Sequence, residues 1–305
     1  MTPGGGPGDL TADPLFEPAF LRRLERVAVY ARRALRGLGQ GERRGRRHGG
    51  AVEFADTRGY VPGDDPRRID WWAYARLESL LVRLYVEEQD LSLHVLLDRS
   101  ASMATGTPPK DVHARRLAAA LAWVGLAQGD RVTVRLFAGG EDDPPLGPLR
   151  GRAALHRLLA SLAARGEAEG VTSLDDAARA FVARRPPTGV VLLISDLLDP
   201  AGLERPLARL RHGGHEVHVV HVLARDELAP EVGADVDLED AETGEVQGVV
   251  LDQAGVAAYQ AALARFLEGA RRACAVQGAG YVLAPTDVPV EELVLDALRR
   301  AGIVR

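Results

Sequence analysis

Asp98, Ser100 and Ser102 close an apolar run that reads Leu93-His94-Val95-Leu96-Leu97-Asp98-Arg99-Ser100-Ala101-Ser102-Met103. A buried strand ending in Asp-x-Ser-x-Ser sets one carboxylate and two hydroxyls on a single turn. All three are hard oxygen donors, which suit Mg²⁺ or Mn²⁺ better than zinc. Two further pieces lie downstream. Thr172 opens Thr172-Ser173-Leu174-Asp175-Asp176, and Asp196 closes a second apolar run that starts at Gly189. Ligands of an open parallel sheet bind beyond the carboxyl ends of its strands, and both aspartates stand at such ends. A plainer reading gives the two serines only the work of helix capping, but a cap needs one hydroxyl and leaves Asp98 unexplained.

The elements that must position these side chains alternate. Strands are expected at 80–86, 92–97, 131–137, 189–195, 215–222 and 280–283. Helices are expected at 111–128, 151–164, 174–184, 202–212 and 290–301. The turn Glu87-Glu88-Gln89-Asp90 reads as a hairpin joining the first two strands. Strand and helix alternating at these lengths predict an α/β fold, a doubly wound and mostly parallel sheet covered on both faces. Residues 225–252 interrupt the pattern. Val236–Leu238 and Val246–Leu251 flank Glu242-Thr243-Gly244-Glu245, a β-hairpin insertion expected on the sheet edge. The domain plan is a Gly- and Pro-rich disordered tail over 1–14, an N-terminal helical and loop extension over 15–90, and the doubly wound domain over 91–305.

The triad of Asp-x-Ser-x-Ser, a distant Thr and a distant Asp resembles the metal-ion-dependent adhesion site of von Willebrand factor A domains. Carried over residue by residue, the ligands are Asp98, Ser100, Ser102, Thr172 and Asp196. The resemblance implies direct bonds from the serines, a direct or water-mediated bond from Thr172, and aspartates that hold waters or touch the ion. It also implies that a carboxylate of another protein completes the shell, a charge-assisted and orientation-specific contact.

The extension carries a second constellation. An amphipathic helix is expected from Pro18 to about Gly37, followed by Gly41-Glu42-Arg43-Arg44-Gly45-Arg46-Arg47-His48. Arg43, Arg44, Arg46 and Arg47 read either as a solvated segment or as an arm for an acidic partner, RNA or an anionic lipid surface. Next comes Arg58-Gly59-Tyr60-Val61-Pro62-Gly63-Asp64-Asp65-Pro66-Arg67-Arg68-Ile69-Asp70-Trp71-Trp72-Ala73-Tyr74-Ala75-Arg76. Pro62 to Pro66 must turn, and a short helix should follow with Asp64 or Asp65 as its cap. Arg58, Tyr60, Asp64, Asp65, Arg67, Asp70, Trp71 and Arg76 form either an internal ion-pair network or a partner-recognition surface, since Arg and Trp are favoured interface anchors.

Tyr-x-Pro-Gly-Asp-Asp-x-Arg-x-Ile-Asp-Trp, then Ala75-Arg76, then Asp-x-Ser-x-Ser-Met, resembles the signature of domain-of-unknown-function family 58, over roughly residues 35–290. Glu53-Phe54 and Lys110 also fit, whereas Gly59 stands where relatives usually carry Glu. The resemblance implies a short, soluble form without N-terminal membrane helices. It further implies a MoxR-type AAA+ ATPase as partner, with this chain as adaptor to an unknown client protein.

Composition bounds the alternatives. With 305 residues and 46% of them hydrophobic, the chain can fill a large core. A net charge of −5 counts against a general nucleic-acid binder, and no DNA partner is expected. Cys274 is the single cysteine and reads as an ordinary buried thiol. The N-terminus lacks a secretory leader and the longest apolar run is too short for a bilayer, so a cytoplasmic protein is expected. An enzyme is not expected. Haloacid-dehalogenase phosphatases also place an Asp at a strand end, but their general acid two residues on is here Ser100. Lys110, the only lysine, lies on the wrong side for their phosphate-binding role. Neither a P-loop nor a Gly-x-Ser-x-Gly elbow occurs. His212, His215, His218 and His221 read as packing or surface residues.

Overall fold

The computed structural model describes residues 22, 52–61, 64, 66, 69–87, 91–138, 144–164, 166, 168–230, 235–239, 246–250 and 252–300. The 1–14 tail, the 18–37 helix apart from Arg22, Asp65, Arg67 and the Arg43, Arg44, Arg46 and Arg47 loop lie outside these residues. The chain forms two compact units that part between Asp90 and Leu91.

The smaller unit is an antiparallel ladder of β1 (Val52–Gly59) and β2 (Leu81–Glu87). Its long connection carries the Tyr60–Arg76 motif. The sequence expectation of a hairpin between 80–86 and 92–97 is therefore corrected: β2 pairs with β1, in a sheet separate from β3 (Ser92–Asp98). The physical reason is the run Val95-Leu96-Leu97, buried on both faces, which belongs inside a covered parallel sheet rather than in a half-exposed hairpin. The short helix Trp71–Leu77 is capped by Asp70, not by Asp64 or Asp65. Asp70 Oδ1 accepts from Trp72 N at 3.1 Å and Ala73 N at 3.0 Å. Asp64 instead closes the preceding turn, its Oδ2 accepting from Val61 N at 2.9 Å.

The larger unit adds β4 (Arg131–Phe137), β5 (Leu146–Leu149), β6 (Val190–Ser195) and β7 (Glu216–Leu223), then a separate pair β8 (Asp235–Glu239) and β9 (Val246–Val250), and β10 (Gly280–Pro285). Six strands share one sheet in the order β10-β7-β6-β3-β4-β5, all parallel except the short edge strand β5. The expected mostly parallel α/β sheet is thus present, with an antiparallel insertion. β8 and β9 pair with each other rather than extending the sheet edge.

Alternate side chains of each strand feed two cores. Val95, Leu97, Val134, Leu192 and Val220 face helices Lys110–Gln128, Ala154–Ala163 and Val290–Arg300. Leu96, Val191, Leu193 and Val219 face helices Leu174–Ala183, Glu204–His212 and Gln253–Val276. Gly189 is required where β6 starts, because a Cβ there would lie 2.0 Å from the Ser92 carbonyl oxygen. Cys274 is buried, and burial pushes its thiol up to about 12, as an inert core cysteine requires. Among the described residues, no helix is long and apolar enough to cross a membrane.

Candidate functional site

β3 lies between β4 on one side and β6 on the other. The chain leaves β3 toward β4 and later returns to the opposite flank as β6. The carboxyl ends of β3 and β6 therefore form the point where the winding reverses, the place where such sheets bind ligands. Asp98 is the last residue of β3, and Asp196 is the first residue after β6. The register pairs Leu97 with Ile194, which sets Asp98 beside Ser195.

Three loops are tied together here. Ala101 N donates to Gly170 O and Glu169 N donates to Arg99 O, both at 2.9 Å, which anchors the segment leading to Thr172 against the Asp-x-Ser-x-Ser turn. Asp199 Oδ2 accepts from Leu174 N at 2.8 Å and its Oδ1 from Ala201 N at 2.8 Å, so the loop after Asp196 holds the start of helix Leu174–Ala183. Ser195 Oγ donates to Asp98 Oδ2 at 2.6 Å and accepts from Leu197 N at 2.9 Å.

Asp98, Ser100, Asp196 and Lys110 are 0% exposed, Thr172 is 3% and Ser102 is 7%, so all six residues are buried. Ser100 opens the 3-10 turn Ala101–Ala104 without making a side-chain cap bond. Its Oγ lies 3.1 Å from Ser102 Oγ instead. The capping explanation of Ser100 therefore fails, and the two hydroxyls face each other. Asp98 Oδ1 accepts from Ser100 N at 2.9 Å. Burial, with the nearby Asp196 charge second, pushes the Asp98 carboxyl up to about 7, and its hydrogen bonds to Ser195 and Ser100 oppose the shift only in part.

This donor set fits a hard dication. Two hydroxyl oxygens 3.1 Å apart match the edge of an octahedron with metal–oxygen bonds of about 2.1 Å, which is about 3 Å long. Two buried carboxylates that repel each other gain from a positive charge between them. Among the described residues, no three His, Cys, Asp or Glu side chains converge as a metal cluster, so hydroxyls must supply much of any shell.

Three side chains that sequence reasoning left out of the site belong to it. Lys110 Nζ donates to Asp196 Oδ2 at 2.9 Å and to Glu227 Oε1 at 2.5 Å. Burial works to lower the Lys110 ammonium, but Asp196 and Glu227 outweigh it and the net shift is upward. The signal was present, since one lysine stands in a chain whose 38 basic residues are otherwise all arginine. Ser195 was visible as the one polar residue of the apolar strand Val190–Ser195. Glu227 carried no sequence signal.

Asp64 and Asp70 serve backbone amides. Tyr60 is half-buried, and Arg76 is exposed. Trp71 and Trp72 are 59% and 78% exposed, with Trp71 edge-on to Tyr74 at 6.3 Å. Arg58 is in β1 opposite Val82, and its side chain lies outside the described atoms. Of the four clustered histidines, His212 is exposed and the other three are buried. His215 rings against His94 and Phe181, His221 Nδ1 meets the Tyr281 hydroxyl at 2.8 Å, and His218 pairs with Glu216.

Residues 56–267 match the family model described as "Protein of unknown function DUF58". Uncharacterized protein Rv1480 of Mycobacterium tuberculosis is 31% identical over 275 residues, covering 86% of each chain, and Uncharacterized protein Mb1516 of Mycobacterium bovis aligns with the same figures. Solved structures with distant similarity include conserved hypothetical protein BatB from Bacteroides thetaiotaomicron, at TM-score 0.46, 18% identity and coverage of 70% of this chain and 98% of that one. Another is a von Willebrand factor type A structure from Catenulispora acidiphila, at TM-score 0.41, 13% identity and coverage of 74% and 44%.

Proposed function

We propose that this chain, which belongs to the DUF58 family, is a protein-binding module that works through one hard divalent cation, Mg²⁺ or Mn²⁺. Ser100, Ser102 and Thr172 would hold it through hydroxyls, and Asp98 and Asp196 through carboxylates or their waters. When bound, the cation supplies a positive charge that neutral hydroxyls leave incompletely compensated, and this charge attracts an Asp or Glu carboxylate of a partner. The observation that carries the reading is the Ser100–Ser102 hydroxyl pair, 3.1 Å apart and free of capping work, beside buried Asp98.

The chain's own residues favour binding over hydrolysis. Asp98 has one oxygen on Ser100 N and the other on Ser195 Oγ, so it is held as an acceptor rather than presented as a nucleophile. The position two residues on, where a phosphatase needs its acid, is a serine. Lys110 is committed to two carboxylates rather than turned toward a phosphate.

The resemblance of the Tyr60–Arg76 signature supports the finer reading, an adaptor between a MoxR-type AAA+ ATPase and a client protein in the cytoplasm. Pull-down of such an ATPase in Mg²⁺ and in EDTA, repeated with Ser100→Ala plus Ser102→Ala, tests it. Loss of capture in EDTA and in the double variant is expected. Capture that survives both changes rejects the cation mechanism.

A further inference from the structure

Lys110 opens helix Lys110–Gln128 and is fully buried. Enclosing an ammonium costs free energy unless it is paired and hydrogen-bonded. Its partners are Asp196 Oδ2 at 2.9 Å and Glu227 Oε1 at 2.5 Å. Glu227 is held independently of the lysine. Its Oε2 accepts from Ala224 N at 2.7 Å, and its carbonyl oxygen accepts from the Tyr259 hydroxyl at 2.7 Å. The lysine is thus fixed from two sides against one member of the oxygen cluster.

We infer that Lys110 is a built-in counter-charge that makes the cluster select a cation and an anionic partner group together. The inference rests on the reading of the cluster as a cation site. Asp98 and Asp196 alone would neutralise a dication. Lys110 returns one positive charge beside Asp196, so the loaded cluster is one charge less negative toward an incoming carboxylate than it would be without the lysine. Glu227, 26% exposed and 2.5 Å from Nζ, offsets part of this charge, so the Lys110–Glu227 pair together sets how strongly the cluster draws an anion. The cation alone is then held more weakly than two carboxylates would hold it. A carboxylate ligand recovers that loss, and by linkage each tightens the other by the same factor. Lys110 is a positioning residue here, since it acts through Asp196.

The test is calorimetric titration of Mn²⁺ into the full chain, with and without millimolar acetate as the carboxylate probe. It compares wild type with Lys110→Met, Glu227→Gln and the double variant, with circular dichroism to establish folding. Lys110→Met should tighten Mn²⁺ by roughly tenfold or more, from removal of one nearby charge at an effective dielectric of about 20. It should also abolish the enhancement by acetate. Glu227→Gln should shift Mn²⁺ affinity the other way, and the double variant should fall between. Wild type that binds Mn²⁺ while folded Lys110→Met binds it no more tightly overturns the inference and spares the cation site. Should Lys110→Met not fold, Glu227→Gln decides, and unchanged or tighter Mn²⁺ binding by it overturns the inference. Wild type that binds no Mn²⁺ overturns both.

Discussion

Ser195 Oγ donates a 2.6 Å hydrogen bond to Asp98 Oδ2, joining the end of β6 to the end of β3 just past their last paired residues, Leu97 and Ile194. Both side chains are fully buried, so the bond is made where water cannot replace it. Ser195→Ala should cost about 1–3 kcal/mol, because it leaves a buried carboxylate oxygen short of a donor. It should also weaken Mn²⁺ binding near neutral pH, since Asp98 then ionises less readily. Urea unfolding and metal titration of the same variant check the two effects. A variant as stable as wild type shows that the bond is replaced.

Asp98 gives the metal-free protein a distinct pH signature. Its folded value of about 7 lies above the unfolded value near 3.9. Between these limits the folded state holds more protons than the unfolded state. The Asp98 share of stability is therefore full at acid pH and is lost as pH rises to about 7, by on the order of 4 kcal/mol. Four buried histidines run the opposite way. His94, His113, His215 and His221 are lowered chiefly by burial, so their shares are lost as pH falls. Comparison with Asp98→Asn isolates the carboxylate. In EDTA, the stability gap should move in favour of Asn as pH rises from about 5 to about 7.5, and Mg²⁺ should reverse that trend for wild type only. Parallel pH curves would contradict the raised value.

Asp199 ties the loop after Asp196 to the helix that follows Thr172. Ser173, at that helix's N-cap, makes no side-chain cap bond and instead donates to Asp176 Oδ2, so Asp199 does the capping from a distance. Asp199→Ala should cost about 1 kcal/mol and weaken Mn²⁺ binding by loosening Thr172 relative to Asp196. Asp199→Asn, which keeps the acceptor oxygen, should recover most of both. If Asp199→Ala leaves metal affinity intact, Thr172 does not depend on this tie.

Gly106 lies between the serines and Lys110, with φ +93°, and a Cβ there would come within 2.4 Å of Ala224 Cβ. Gly106→Ala should destabilise by roughly 1–3 kcal/mol through left-handed strain and overpacking. Because it pushes on the residue that precedes helix Arg225–Leu228, it should also disturb Glu227 and, through it, Lys110. Thermal unfolding with metal titration measures both. Unchanged stability would show that the β7 end yields without cost.

The parts of the molecule legible without coordinates were those governed by local pattern. The double-faced apolar runs ending at Asp98 and Asp196 identify strands of a covered parallel sheet, because only such a sheet buries both faces of Leu96 and Leu97. Pairing was less legible. Nothing near Glu87-Glu88-Gln89-Asp90 says that β2 seeks β1 across the Tyr60–Arg76 connection, since antiparallel partners are chosen by distant surfaces. Helix Gln253–Val276 is also illegible in the sequence pattern. Its buried face is a thin set of Val256, Ala270, Ala273 and Cys274, too small and widely spaced to stand out as a period.

By itself the amino-acid sequence determined the oxygen-rich donor types, their order and their places at strand ends, because those follow from short-range alternation and turn chemistry. Only the tertiary structure decided which charges meet. Lys110, Asp196 and Glu227 are separated by 86 and 117 residues from the lysine, and their contact exists because the reversal of winding at β3 and β6 brings three strand ends to one point. Electrostatic balance in a buried cluster depends on distance in space, which no spacing along the chain encodes.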